Sequence, residues 1–514
     1  MAAVQDKLEQ LATLVGRRTL FAIIGIVAAI IAGVLISQNL LIVAAGVLLL
    51  VGLMAVVLSP DIATVMVTFI VYSNVAVVAV RFHGAPYILG AVVPLLLVFP
   101  VMHYLLHRRE DIVIMPTTLL AIAYLLVQLV SALFSDNVTL AQAKLMTFIS
   151  EGLLLFVLVT NAIRTPETLR YVIWALLAAG ILLSIFPLYQ QITGTFNNNY
   201  WGFAQAEGRG FSTGEETLFG EVRQPRLAGA LGEKNFYAQI MLMLVPIGLF
   251  QFTAEKSRYL RGLALVATLL ATAAAALTFS RGAAVGFMVM LILATLMRAI
   301  KPQQFVLIVA LIAVVLIALP QYTIRMASLL EIRSFFQEDA ATTVDGAIEG
   351  RATEMLSAIY MFRDHPIVGV GPGMSKYYSS DYGNALGIKQ LAGTRRVHSL
   401  YLELLAEGGV LGFVTFMSML GVTLFSLYRA RKRWSSSRPE FASMAGGLML
   451  ALITHMTTSI FLHMSYERYF WLMMAIAVSA INISHRLAAA EAPAPAERRD
   501  MATAGTPYGL LETG

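Results

Sequence analysis

The chain has no cysteine in 514 residues, which excludes a disulfide framework, a thiolate nucleophile and any cysteine-ligated metal. Charge is scarce as well, at 13% of residues. Spacings for metal chemistry are missing too. No HExxH run occurs, no two aspartates lie two positions apart, and the short connection Ser37-Gln38-Asn39 carries no carboxylate of the kind that would hold a divalent ion. No internal repeat of the kind that marks secondary transporters is evident. What remains for chemistry is arginine, histidine and isolated carboxylates, with no cofactor and no metal expected.

In place of charge there is apolar surface. Hydrophobic residues make up 58% and mean hydropathy is +0.76, outside the range of soluble domains. The composition predicts an all-α, polytopic membrane protein. Apolar runs long enough to cross roughly 30 Å of hydrocarbon number about fourteen. They lie near Thr19–Ser37, Leu40–Leu58, Ile62–Val80, Tyr87–Leu106, Met115–Phe134, Ala143–Ile163 and Arg170–Ile192, then Phe236–Thr253, Tyr259–Phe279, Gly282–Met297, Phe305–Pro320, Ser399–Tyr428, Phe441–Leu462 and Tyr466–His485. Residues 19–485 are therefore expected to form the membrane domain.

The formal charge of +6 does not point to nucleic acid, because the basic residues fall in short runs between apolar segments. With a cytoplasmic N-terminus, alternate connections hold Arg108-Arg109, Arg164 and Arg170, Lys256 with Arg258 and Arg261, Arg298 with Lys301, and Arg429 to Arg433. That is the asymmetry expected of cytoplasmic loops. The two long connections, 193–235 and 321–398, then fall on the extracytoplasmic face. In the second, up to Val397, eight Lys and Arg are matched by eight Asp and Glu, so an anion site there must rest on individual positions. Within it, Met355, Ile359 and Phe362 recur at helical spacing before His365-Pro366, which predicts an amphipathic helix, either lying on the membrane or packing as a lid. Residues 1–18, with Val4, Leu8, Leu11 and Val15 in register, read as a cytoplasmic interfacial segment, and the Ala/Pro/Glu-rich stretch 486–514 as a disordered cytoplasmic tail.

Three positions carry candidate chemistry. Arg281, in LTFSRGAAVGF, sits at a turn between apolar runs, where a partly desolvated guanidinium grips an anion with two parallel hydrogen bonds or serves as an ordinary headgroup arginine. Arg226, in RQPRLAGALGEKNF, precedes Gly229, Gly232 and Asn235, which allow backbone to approach a ligand; the alternative is a snorkelling arginine. His398 opens a long apolar run after Arg395-Arg396, with Glu403 and Glu407 beyond it. A neutral imidazole there suits proton abstraction from a hydroxyl, against the alternative of a structurally bonded histidine. Tyr377, Tyr378, Tyr382 and Tyr200-Trp201 are sugar-stacking candidates or interface anchors.

Taken in order, RLAGALGEKN, FSRGAAVGF, GRATEMLSAIYMFRDHPIVGVGPG and HSLYLELLAEGGVLG closely resemble the bacterial O-antigen ligase and polysaccharide polymerase superfamily over residues 226–412. The earlier spans match it in hydropathy alone. The resemblance implies a multi-pass protein of the bacterial inner membrane with its active site on the periplasmic face. It implies transfer of a glycan from undecaprenyl diphosphate to a sugar hydroxyl, on lipid A core or on a second lipid-linked glycan; some relatives glycosylate protein hydroxyls. Carried over by position, Arg226, Arg281 and Arg351 are implied to hold the donor diphosphate and His398 to activate the acceptor. Arg395, Arg396 and Asn235 are further substrate-binding candidates. Where many relatives have Asn after the histidine, this chain has Ser399. Ligase, polymerase and protein O-oligosaccharyltransferase all stay open, and a non-enzymatic transporter of the lipid-linked glycan is the competing class.

Overall fold

A computed structural model describes residues 59–217, 220–318, 346–386, 393–464 and 467–491. The first two expected spans, the segment 1–18, part of the long connection before residue 346 and the tail beyond 491 lie outside the described residues. Helices dominate. They are α1 (Pro60–Tyr72), α2 (Val75–His83), α3 (Ile88–Leu95), α4 (Val98–Met102), α5 (Pro116–Leu133), α6 (Val138–Ala162), α7 (Pro166–Thr193), α8 (Lys234–Ala254) and α9 (Arg258–Ala276). After these come α10 (Arg281–Leu296), α11 (Pro302–Ala318), α12 (Gly346–Asp364), α13 (Ser375–Leu386), α14 (Leu400–Trp434), α15 (Pro439–Thr458) and α16 (Glu467–Ala490).

Eight of these are long and apolar enough to cross a bilayer, and α1 with α2 makes a ninth if the pair, bent by 54°, counts as one broken span. The protein is a multi-pass membrane protein. The expected count of about fourteen is not reached among the described residues, since α10 and α11 are shorter than a full span and Pro94 and Pro100 fall in the interrupted run α3–α4. One departure from a wholly helical chain lies in the first long connection, where β1 (Gln205–Thr217) and β2 (Gly220–Gly229) form an antiparallel hairpin.

Sequence signals set the helix starts. Proline opens α1, α5, α7 and α15, where its missing N–H costs nothing, and the Thr165 hydroxyl accepts from Thr168 N at 3.1 Å. Glu233 caps α8, accepting from Asn235 N and Phe236 N at 2.9 Å each. The α8 and α15 helices are the most enclosed and run antiparallel: Gln239 Nε2 near the start of α8 donates to Thr458 Oγ1 and Ser459 Oγ at the end of α15, both at 2.9 Å. Small residues let α8 touch its neighbours, with Gly447 of α15 facing the Ile247 backbone and Gly248 facing Thr268 of α9.

The two ends of the bundle differ in chemistry. At one, Arg164 Nη1 donates to Asp111 O (2.9 Å), Arg170 Nη2 to Glu255 Oε2 (2.8 Å) and Arg431 Nη2 to Met297 O (2.6 Å). This end gathers the basic connections. The opposite end holds the start of α8, α10 and α14, the end of α15, and the hairpin.

The Gly-Gly and Gly-x-Gly-Pro-Gly motifs have a joint explanation. Helix α14 breaks at Gly409, whose φ of 59° and ψ of −163° suit only glycine. The freed groups pair with the segment after α12: Val370 N donates to Ala406 O (2.8 Å) and Gly371 N to Glu407 O (3.2 Å), while Val410 N donates to Pro366 O (2.8 Å) and Leu411 N to Ile367 O (3.3 Å). A helix break inside a membrane protein is tolerable when neighbouring backbone satisfies it in this way. A Cβ on Gly409 would lie 2.3 Å from Ile367 O, so Gly409→Ala should cost at least about 1–3 kcal/mol in strain alone. Thermal unfolding in detergent checks this against Gly421→Ala, where a Cβ meets nothing within 4 Å.

Candidate active site

His398 precedes α14, on a strap fixed to α13: Arg395 N donates to Lys376 O (3.0 Å) and Ser379 Oγ to Arg395 O (2.6 Å). The strap's other side meets α15, where Leu400 N donates to Ser459 O at 2.9 Å. His398 Nδ1 lies 2.6 Å from Glu354 Oε2. Glu354 belongs to α12, three residues after Arg351, and its side chain is only 2% exposed, against 29% for His398. With the proton on Nδ1, the imidazole donates to a fixed carboxylate and leaves Nε2 to accept one. Arg395 reaches the same carboxylate at 3.8 Å, but its half-exposed guanidinium adds little.

Helix α12 forms as the helical spacing predicts, and its apolar stripe is the more exposed face. Thr353, Glu354, Ser357, Ala358 and Met361 are buried against α13 and α14, whereas Ile359 is 46% exposed and Met355 and Phe362 are partly so. The inward face is selected by hydrogen bonding: Glu354 meets His398, and Ser357 Oγ donates to Ser379 O of α13 (3.3 Å).

On the other side of His398 stands His463, in the connection after α15. Its ring lies 5.8 Å from that of His398 and 5.0 Å from that of Phe236. Burial holds the His463 imidazole far below its ordinary range, and the positive field of Arg396 acts in the same direction. It is therefore neutral near neutral pH. Glu403 and Glu407, seen in the sequence beside His398, instead fasten loops: Glu407 accepts from Gly373 N (2.7 Å) and Ser375 Oγ (2.6 Å), and Glu403 from Met464 N (2.6 Å).

Arg226 is 4% exposed at the end of β2. Its Nε donates to Thr278 O at 2.7 Å and its Nη2 to Asn235 Oδ1 at 3.3 Å, so the guanidinium ties the hairpin to the start of α8 and to the α9–α10 turn. Three residues past Thr278, Arg281 heads α10, where the helix's first N–H groups add to its positive charge. The adjacent Gly282 packs on Phe461, two residues before His463. Arg226, Asn235, Arg281 and His398 thus share one end of the bundle. Arg351 is partly buried one turn before Glu354, and Arg396 lines a cavity with Glu233, Phe236 and His463.

Residues 266–417 match the family model described as O-antigen ligase. The chain carries an O-antigen ligase-type domain. The match takes in Arg281, the α12–α13 cap, the Gly-x-Gly-Pro-Gly crossing and the His398 strap, but not Arg226 or His463. No curated protein matches the chain. Glu354, inside the matched segment, and His463, outside it, are the members of the site that sequence reasoning missed. Glu354 was one of eight acids balancing eight bases, and its only signal was its place within the GRATEM motif, 44 residues before the histidine.

Removing the charge of Glu354 while keeping its shape tests the pair. Glu354→Gln should lower turnover by between about tenfold and about 10⁴-fold, the range spanned by orienting carboxylates elsewhere, with the unfolding temperature little changed. A glycan-transfer assay on the purified variant reads it.

Proposed function

We propose that this protein is a glycosyltransferase that moves a glycan from undecaprenyl diphosphate to a sugar hydroxyl, as an O-antigen ligase or a polysaccharide polymerase. The observation that carries it is the contact of the half-buried His398 with the buried Glu354 carboxylate, held at the same end of the bundle as Arg226 and Arg281. The acceptor oxygen attacks the anomeric carbon as its proton passes to His398 Nε2. The C–O bond to the diphosphate breaks, and its electron pair leaves on the phosphate oxygen. Glu354 stabilises the imidazolium that forms. Arg281, with Arg226 and Arg351, meets the charge growing on the leaving diphosphate, so no metal ion is required by the proposal. One displacement at the anomeric carbon inverts it; NMR of donor and product linkages checks this, and retention would call for a nucleophile among the neighbouring side chains.

The gathering of basic connections at the far end supports a periplasmic site with cytoplasmic termini in the inner membrane. Purified protein given undecaprenyl-diphosphate glycan together with lipid A core or with a second lipid-linked repeat tests the reading. A product ladder formed without core means polymerase, a shift that needs core means ligase, and no product with either acceptor counts against both.

A further inference from the structure

Beside His398 the protein forms a half-open cavity of about 640 Å³ that the transfer chemistry above does not use. It lies between α6, the start of α8, α13 and the first turns of α14, with His463 and Phe236 on its wall, within one ring's width of His398. Its carboxylates are Glu151, Glu233, Glu403, Glu407 and Glu467. Its cations are Lys144, Lys376 and Arg396, and Lys144 is already paired with Glu467. Three bases facing five acids, one of the bases already spent on Glu467, leave no surplus of positive charge to seat a diphosphate. The same groups suit a ligand rich in hydroxyl donors, each of which a carboxylate accepts in a short, charge-assisted bond.

A second feature points to an occupant. A chamber of about 40 Å³ shares Lys144, Glu403, Glu407 and Glu467 with the cavity and is also lined by Gln128. Gln128 is 5% exposed, and its Oε1 has no hydrogen-bond partner among the described residues. A buried amide oxygen without a donor is costly, and a hydroxyl group or a water carried with it would relieve that cost. Of the three neighbouring tyrosines, Tyr378 donates to Asp136 and Tyr382 to Asp364, whereas Tyr377 stands in the cavity wall with the Lys376 ammonium 4.7 Å from its ring centre, where ring and ammonium together can meet a sugar.

We infer that this cavity is the acceptor subsite: it takes an uncharged or amine-bearing sugar of the acceptor glycan and presents its hydroxyl toward His398, while the donor diphosphate lies on the Arg226–Arg281 side of Phe236. This rests on the transferase reading and deepens it. The subsite is wide enough for a pyranose and its neighbours, and with no surplus of cations it selects against phosphorylated residues at the sugar that docks.

Initial-rate kinetics on the full-length protein in detergent test it, with donor and acceptor varied separately and with lipid A core and a second lipid-linked repeat tried in turn as acceptor. Tyr377→Ala and Glu151→Gln alter the cavity at residues outside the proposed proton-transfer pair. Each should raise the apparent KM for acceptor about tenfold, a change of the size that one stacking or charge-assisted contact confers. The KM for donor and kcat at saturating acceptor should stay near wild type, and Tyr377→Phe should restore the acceptor KM because the ring is retained. A rise in donor KM instead, or no change in either KM, would overturn the assignment while leaving the transferase intact. Absence of transfer by the wild type would remove the transferase reading itself, and the acceptor subsite with it.

Discussion

His398→Ala should reduce glycan transfer by about 10²–10⁴-fold, the range that a positioned general base contributes. The loss should fall on kcat, because the imidazole acts on the proton that moves in the transition state and not on either substrate at rest. The fold should survive the change: His398 is partly exposed, and the strap that carries it is held through the Arg395 and Leu400 backbones, independently of the ring. Comparing unfolding temperatures separates a chemical loss from a structural one. Steady-state rates on purified protein with undecaprenyl-diphosphate glycan give the rest. A variant with wild-type kcat would remove the proposed base.

Arg281→Ala should cost about 10²–10³-fold in kcat, the penalty seen when one donor to a developing anion is removed. Lysine should recover only part of it, since a point charge cannot reproduce the two parallel N–H groups of a guanidinium. Arg226→Ala is a less clean experiment. Its bonds to Thr278 O and Asn235 Oδ1 join three elements, so its removal should lower both activity and thermal stability. Activity and unfolding temperature of Arg226→Ala are therefore to be read together, so that a loss of transfer is not assigned to the diphosphate contact alone.

Much of the architecture was legible because membrane segments announce themselves by length and composition. Met115–Phe134 and α5, or Arg170–Ile192 and α7, differ by only a few residues at each end. The signal weakens where a run is interrupted. The run Ile62–Val80 reads as one span in hydropathy, yet the chain bends by 54° between α1 and α2, where Asn74 takes a left-handed conformation. The hairpin of residues 205–229 was not legible, since strands outside the apolar runs leave no periodicity that a hydropathy scan can detect.

At the site, the positions read from motifs were those whose side chains stand at helix mouths. Arg281 heads α10 and His398 precedes α14, both just outside long apolar runs. What sequence could not supply was pairing across distance. Glu354 meets His398 because the chain after α12 crosses the α14 break at Gly409, and that crossing depends on backbone conformations at Gly369 and Gly409 that spacing alone does not reveal. The stripe of Met355, Ile359 and Phe362 marked the helix but not the side that carries the chemistry: in a membrane protein the apolar face of a helix can point outward, and the polar face inward.

The most direct test of the central claim is a product balance on the wild-type protein reconstituted in liposomes, with undecaprenyl-diphosphate glycan as donor and either acceptor present. The account predicts one undecaprenyl diphosphate released for each new glycosidic bond. Glycan that crosses the bilayer still attached to its lipid, with no diphosphate released, would contradict it.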